Sequence, residues 1–472
     1  MNVIRTEEDV FNELRRLCTS SGYIHAISYL CFRDNLFRIE HDKATTEDLL
    51  KLYSHDRLIR TEISTLMGLM VSQDIDFTIP PSETLQVYID QTDSLLKELH
   101  ESINAPAHEI FMDIIKNGKK DNPFTKGEFL RESIFYSAES AYDFQYLDLF
   151  VQKYQQDNDW IKHNKGFEVK DIRTVINAIT EIQMNNIETF QKTLLKTHPS
   201  EWSTLNIFVF SVQEIKDKTY LSSDVITNVL EAFVAYDNNA SFLELGDYNL
   251  INSHPLLKND ENTYILFQHY GLLEASYESP FFWFLQDNKY KSQANENRGN
   301  FTENFCAHTL SKVFGKENVY QNIDIYDKKK RVGEIDVLVL FANRAIILQA
   351  KSKKLTLGAR KGNDNLLADD FKKAIQDSYN QGNDCAKFIQ DKKYTLIDFS
   401  GNEISVRNDY KEIYVFCVVS DHYPSLAFQS KQFLQYEETD IIKPPFVMDI
   451  FLLDVMAEML QNPLYFLSYV NK

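Results

Sequence analysis

The chain has 472 residues, which at roughly 150 residues per domain allows about two to four domains with large cores and excludes a small stapled scaffold. Its 69 acidic residues against 50 basic ones leave a formal net charge of −19, which excludes a protein that coats polyanions over its whole surface. Any nucleic-acid site must be local, and a composition of 43% hydrophobic and 25% charged residues belongs to a chain that folds throughout.

The N-terminal run MNVIRTEEDVF carries no basic region followed by an apolar stretch, so no secretory signal is expected. Five scattered cysteines (Cys18, Cys31, Cys306, Cys385, Cys417) form no CxxC pair, which argues against a disulfide framework or a zinc ribbon and for a reducing cytoplasm. Residues 1–294 read as mainly α-helical, because apolar positions recur at three- and four-residue spacing. Ile172, Val175, Ile176, Ile179 and Ile182 form one such stripe, with Gly166 marking a break upstream. Pro80-Pro81 before Ser82 and Ser223-Asp224 before Val225 predict two more helix starts, with Ser82 as a cap. The helices keep no fixed period, so no named solenoid class is indicated. A role in recognition or regulation, or the docking of a regulatory protein, is expected of this region. Its aromatic cluster Phe135, Tyr136, Tyr142, Phe144 and Tyr146 suits a helical core, with stacking on bases as the alternative.

The stretch from Asn288 to Asn300 turns polar, which predicts a domain boundary and a second domain over 295–472. There the order is a helix (302–314), three strands (319–326, 335–341, 345–348), a helix of about 25 residues from Leu366, and a strand (413–419). Two apolar segments, 446–453 and 463–470, complete its packing. The fold class is thus α plus α/β, a helical region followed by a mixed sheet flanked by helices. PPFVMDIFLLDVMAEML, broken by Asp449 and Asp454, is too short to span a bilayer, so no membrane is expected as a partner.

The informative stretch is GEIDVLVLFANRAIILQAKSKK, residues 333–354. If Ala342-Asn343 is a two-residue hairpin turn, Asp336 faces Gln349 and Glu334 faces Lys351, with all four on one face. Asp336 and the Gln349 carbonyl offer the hard oxygen ligands that Mg²⁺ prefers, and Lys351 sets an ammonium beside them. That set suits hydrolysis of a phosphodiester. From 301 to 361 there are twelve basic and six acidic residues, so a local +6 sits in a remainder of −25. The run SKKLTLGARKG supplies Lys353, Lys354, Arg360 and Lys361 for backbone phosphates, and its glycines would let the loop lie close to the strand being cut. No HExxH, GxSxG or GxxxxGK[ST] motif is present.

Gln349-Ala350-Lys351 after Asp336 resembles the PD-(D/E)XK nuclease superfamily, and within it the Mrr-like and nuclease-related-domain branches, which often carry QxK in place of (D/E)xK. The proline of the superfamily name is absent here. Arg298-Gly299 followed by Glu303 looks like the glutamate-bearing helix of that family, and the resemblance covers residues 296–420. It implies a restriction-endonuclease-like fold with catalytic residues Asp336, Gln349, Lys351 and Glu303. It also implies Mg²⁺ (or Mn²⁺) held by Asp336, Gln349, the Ala350 carbonyl and Glu303, and Gln376 or Tyr379 near the substrate. The expected activity is hydrolysis of DNA in a prokaryotic restriction or anti-phage setting. Cleavage of RNA by the same site, or a catalytically degenerate binding or scaffold protein, are the alternatives. A homodimer is expected if both strands of a duplex are cut.

Overall fold

Helices dominate the N-terminal half because its apolar residues fall in stripes that bury against one another. The structure, a computed structural model, describes residues 5–34, 45–46, 57–117, 122–136, 141–193, 196, 198, 202–236, 238–407 and 409–471. Two units form, one from Met1–Asp121 with Tyr146–Trp283 and the other from Asn122–Gln145 with Phe284–Lys472.

In the first unit, helix Glu7–Cys18 packs on Ser82–Asn117 and Arg60–Met70, burying Val10, Phe11 and Leu14. The isoleucine stripe lies in helix Val169–Thr193, where all five members are buried. Gly166, at φ +80, closes the preceding helix Asn158–Lys165 in the left-handed conformation that glycine adopts without strain. Ser222 caps helix Ser223–Glu231 by accepting from the Val225 N–H. The start at the double proline forms, but Ser82 is the first helical residue and not the cap. A small antiparallel sheet of Val209–Ser211, Thr263–Ile265 and Leu257–Lys258 was not legible in the sequence, because strands of two or three residues have no period to read.

The second unit has the expected fold class, a mixed six-stranded sheet with flanking helices. Its main elements are α1 (Lys291–Phe314), β1 (Val319–Asp327), β2 (Lys330–Phe341), β3 (Arg344–Lys351), α2 (Asp364–Phe371), α3 (Asp377–Phe388), β4 (Tyr394–Ile397), β5 (Glu412–Val419), α4 (Leu426–Phe433), β6 (Phe446–Asp449), α5 (Ile450–Met459) and α6 (Pro463–Val470). The polar stretch around residue 295 is helical from Lys291 onward. Strand order is β4-β1-β2-β3-β5-β6, antiparallel through β3 and parallel from β3 to β6. Helix α1 covers β1 to β3, and α3 packs on β2, β3 and β5. Cover on both faces explains the unbroken burial from Ile335 to Val339. A π-helical turn, Lys372–Gln376, joins α2 to α3 and completes the expected 25-residue helix. The segment 122–145 adds helix Gly127–Phe135, whose Leu130 and Ile134 enter the same core as Ile347 and Val415.

All five cysteines are buried and free. No helix among the described residues is long and apolar enough to cross a membrane. The aromatic cluster of 135–146 divides. Tyr146 is buried, whereas Tyr142 and Phe144 are exposed and stack on each other at 5.3 Å.

Candidate active site

The site forms where β2 and β3 part. Around the Ala342-Asn343 turn they pair in the expected register, from Phe341 with Arg344 to Val337 with Leu348, and there the pairing stops. Beyond that point β2 stays with β1 back to Lys330, while β3 stays with β5 as far as Lys351 opposite Val419. Side chains bridge the gap. An Asp336 carboxylate oxygen accepts the Ala350 N–H at 2.7 Å, and the Gln349 amide donates to the Glu334 carbonyl at 2.7 Å. In an extended strand a residue's N–H and C=O point the same way, so the Ala350 carbonyl also faces the gap.

The single chemical face expected for Asp336, Gln349, Glu334 and Lys351 does not form. Ile335 joins Leu338 and Ile347 in one buried cluster, so the alternation of β2 slips between Ile335 and Leu338. The row responsible is that of Asp336 and Asn322, and Asn322 takes φ +51. Gln349 turns toward α3, where a Cβ on Gly382 would lie 3.4 Å from its Cγ. Lys351 donates to Gln381 of α3 at 3.2 Å. Glu334 is held by Arg331 at 2.7 Å, and Arg331 also binds Asp324 at 2.5 Å.

Electrostatics tie Glu303 of α1 to the gap. Burial pushes its carboxyl up to about 7, and the charges of Asp336 and Glu334 push the same way, against Lys351 and a hydrogen bond from Asn322. Burial likewise raises Asp336 to about 6, against the Ala350 N–H and Lys351. With Glu334 paired to Arg331, Glu303 and Asp336 face one lysine, and their raised values show carboxylates that an additional cation would relieve.

Whether these residues fit a magnesium ion turns on one atom. The Gln349 side-chain oxygen is buried with no hydrogen-bond partner, in a residue that is 0% exposed. An orphaned carbonyl oxygen on a strand whose next residue, Ala350, bonds the Asp336 carboxylate offers an oxygen donor of the kind a hard cation takes. Among the described residues no three His, Cys, Asp or Glu side chains are grouped closely enough to hold a metal by themselves. Mg²⁺ retains water and requires only one or two carboxylates, so the set fits it.

The other anticipated residues are placed differently. Lys353 pairs at 2.8 Å with Asp370, which is 2% exposed and also accepts the Thr356 N–H at 2.7 Å. Lys354, Arg360 and Lys361 follow along the loop that carries the short helix Leu357–Arg360. The glycines of that loop serve internal packing. A Cβ on Gly358 would lie 2.3 Å from Leu366, and the Gly362 carbonyl lies 2.2 Å from where a Cβ on Gly127 would stand. Gln376 and Tyr379 hold their own chain. Gln376 exchanges two hydrogen bonds with the Gln435 backbone at 2.8 and 2.9 Å, and the Tyr379 hydroxyl accepts the Glu437 N–H at 2.8 Å. Gly299 has nothing within 4 Å of an added Cβ, so packing does not demand a glycine there. Its neighbour Arg298 pairs with buried Asp421, which joins α1 to the chain just past β5.

Sequence reading missed Asn322, Ser378 and Gln381. Ser378 donates to the Gln349 backbone carbonyl at 3.2 Å. The signal for this group is Gly382, a glycine inside a helical pattern, which marks close backbone approach. A Cβ there would lie 2.6 Å from Val415, so only glycine lets α3 lie close enough for Gln381 to reach Lys351. If Gln381 positions the lysine, Gln381→Ala should lower kcat for nucleic-acid cleavage about tenfold with little change in KM, and Gln381→Glu should restore much of it. An equal loss in both variants, or a change confined to KM, would remove Gln381 from that role.

Residues 298–420 match the family model of the nuclease-related domain (NERD). This segment runs from Arg298 through the carboxylate gap to the end of β5, the span over which the QxK resemblance was drawn. Over that span the chain is similar to the nuclease-related domain, and the matched residues run from α1 to the end of β5 in the mixed six-stranded sheet. No curated protein and no solved structure matches the chain.

Proposed function

We propose that the chain is a metal-dependent nuclease that hydrolyses DNA phosphodiester bonds at the gap between β2 and β3. The observation that carries this reading is that the Asp336 and Gln349 side chains both bridge the gap and the Lys351 charge acts on Asp336, inside the segment that matches the nuclease-related domain. Asp336, Gln349 and the Ala350 carbonyl would hold Mg²⁺ or Mn²⁺, with Glu303 as the further carboxylate. A bound divalent ion supplies Lewis-acid polarisation of the phosphate and a more acidic water. Lys351, oriented by Gln381, stabilises the negative charge that grows on the phosphoryl oxygens. Glu303, pushed up to about 7 by burial and by the charges of Asp336 and Glu334, would give up its proton to hold the ion. Free buried thiols agree with a reducing cytoplasm, and the Mrr-like resemblance implies a prokaryotic restriction or phage-defence role for this activity.

The test is incubation of the full chain with Mg²⁺ or Mn²⁺ and, separately, duplex DNA, single-stranded DNA and RNA. We expect cleavage of DNA that chelator abolishes. Cleavage of RNA alone would transfer the site to the other polymer. A second reading, a fold that binds nucleic acid without cutting it, is favoured by the absence of a pre-grouped carboxylate cage among the described residues. Tight binding with no cleavage under any metal would establish it.

A further inference from the structure

The sheet continues past the gap as a three-stranded wing of β4, β1 and the first half of β2, whose far end the assigned site does not use. Two segments far apart in sequence meet at its end. Tyr394 pairs with Asp327, and Asp327 with Lys330, so Lys392 and Lys393 lie beside the turn that carries Lys328 to Lys330. All five lysines are exposed.

Nearer the gap, the same wing presents one aromatic. Phe399 is 80% exposed, the highest value among the large hydrophobic residues described. Its loop is tightly tied. The Asp398 carboxylate accepts from the Ser400 N–H at 2.9 Å and the Asn402 N–H at 2.8 Å. The Asp398 N–H donates to the Asn402 carbonyl at 2.9 Å, and Gly401 closes the turn at φ +84. A bridge between Ile397 and Glu403 seals the base of the loop. An apolar ring held in water by a stiff loop is poised for contact, since nothing within the loop shields it.

Register fixes where this tip stands. Ile397 pairs with Asp324, and Asp324 with Glu334, so the three form one row across the wing. Strands β4 and β2 both run antiparallel to β1. Phe399 therefore follows Ile397 in the direction in which Asp336 follows Glu334. Two strand spacings separate those rows laterally by about 10 Å, the reach of about three nucleotides of one strand.

We propose that this wing receives a single-stranded stretch of DNA beside the cut, with Phe399 stacking on an unpaired base and the lysines of the two turns tracking the phosphates. The inference rests on the nuclease reading and adds to it a preference for unpaired substrate. Alternating basic and aromatic contacts are how proteins hold single strands without reading sequence, because every base offers a π face.

The test is binding in chelator, where no cutting intervenes, by fluorescence anisotropy with a labelled single-stranded oligonucleotide and a blunt duplex. Phe399→Ala should weaken single-strand binding about 5- to 100-fold, the effect of losing one base stack, and should leave duplex binding within about twofold. Phe399→Trp should retain affinity, and its added emission should be quenched by the single strand. Wild-type affinity in Phe399→Ala, or unquenched emission in a Phe399→Trp protein that binds, overturns the wing while the nuclease reading stands. A wild-type chain that neither binds nor cuts any DNA overturns both.

Discussion

Asp336→Asn should abolish cleavage and at the same time make the metal-free protein more stable at pH 8. The loss of rate should be about 10²–10³-fold or greater, since the substitution removes the one buried carboxylate at the gap. The gain in stability follows from the cost of holding that charge. Asp336 titrates at about 6 against an ordinary 3.8, and Glu303 at about 7 against 4.5. Both folded values are raised, so the folded chain keeps protons that the unfolded chain releases. The stability they contribute is complete below about pH 4 and is lost as pH rises through 6 to 7. Removing the Asp336 charge should recover at most about 3 kcal/mol, or at most about 6–12 °C in Tm for a unit of this size. An asparagine oxygen can still accept the Ala350 N–H, so the gap remains bridged. Thermal scans of both proteins in chelator check this: the difference should be full at pH 8 and vanish near pH 4. Equal Tm values at pH 8 would show that Asp336 carries no such cost.

Lys351→Met should lower kcat by about 10²–10⁴-fold while the protein stays folded, because the methionine keeps the stem and loses the charge. Lys351→Arg should not restore activity. The lysine is half-buried and meets Gln381 at 3.2 Å, a geometry that suits a compact ammonium and not a planar fork. Single-turnover rates at saturating metal separate this effect from metal affinity. Retention of more than about a third of the activity in Lys351→Met would take the lysine out of the chemistry.

How much of this was legible depends on the range of the interactions. The hairpin register was readable because a two-residue turn fixes it, and Ala342 takes φ +52 at that turn. The parting of β2 from β3 was not, because it is decided by competition: β1 claims one strand and β5 the other, and neither partner is local. The slip of faces at Asp336 has the same origin, in one left-handed residue, Asn322, on a neighbouring strand. Gln376 and Tyr379 carry a plausible polar pattern on a helix, yet their partners at 435 and 437 lie more than fifty residues away. Strand β4 escaped notice because its four residues, Tyr394–Ile397, offer two alternations at most. Helix α1 was read short because its polar first half contains no apolar period, although Ala294 and Asn297 are buried there.

The second unit draws Asn122–Gln145 from one part of the chain and Phe284–Lys472 from another. On a ribosome adding about 5–20 residues per second, Leu130 and Ile134 emerge roughly 10–40 s before Ile323, the next member of the same core. During that interval the helix Gly127–Phe135 has no apolar partners from its own unit. Synthesis therefore delivers the two halves of this core at separate times, so the nuclease-related unit cannot finish folding until nearly the whole chain has been made.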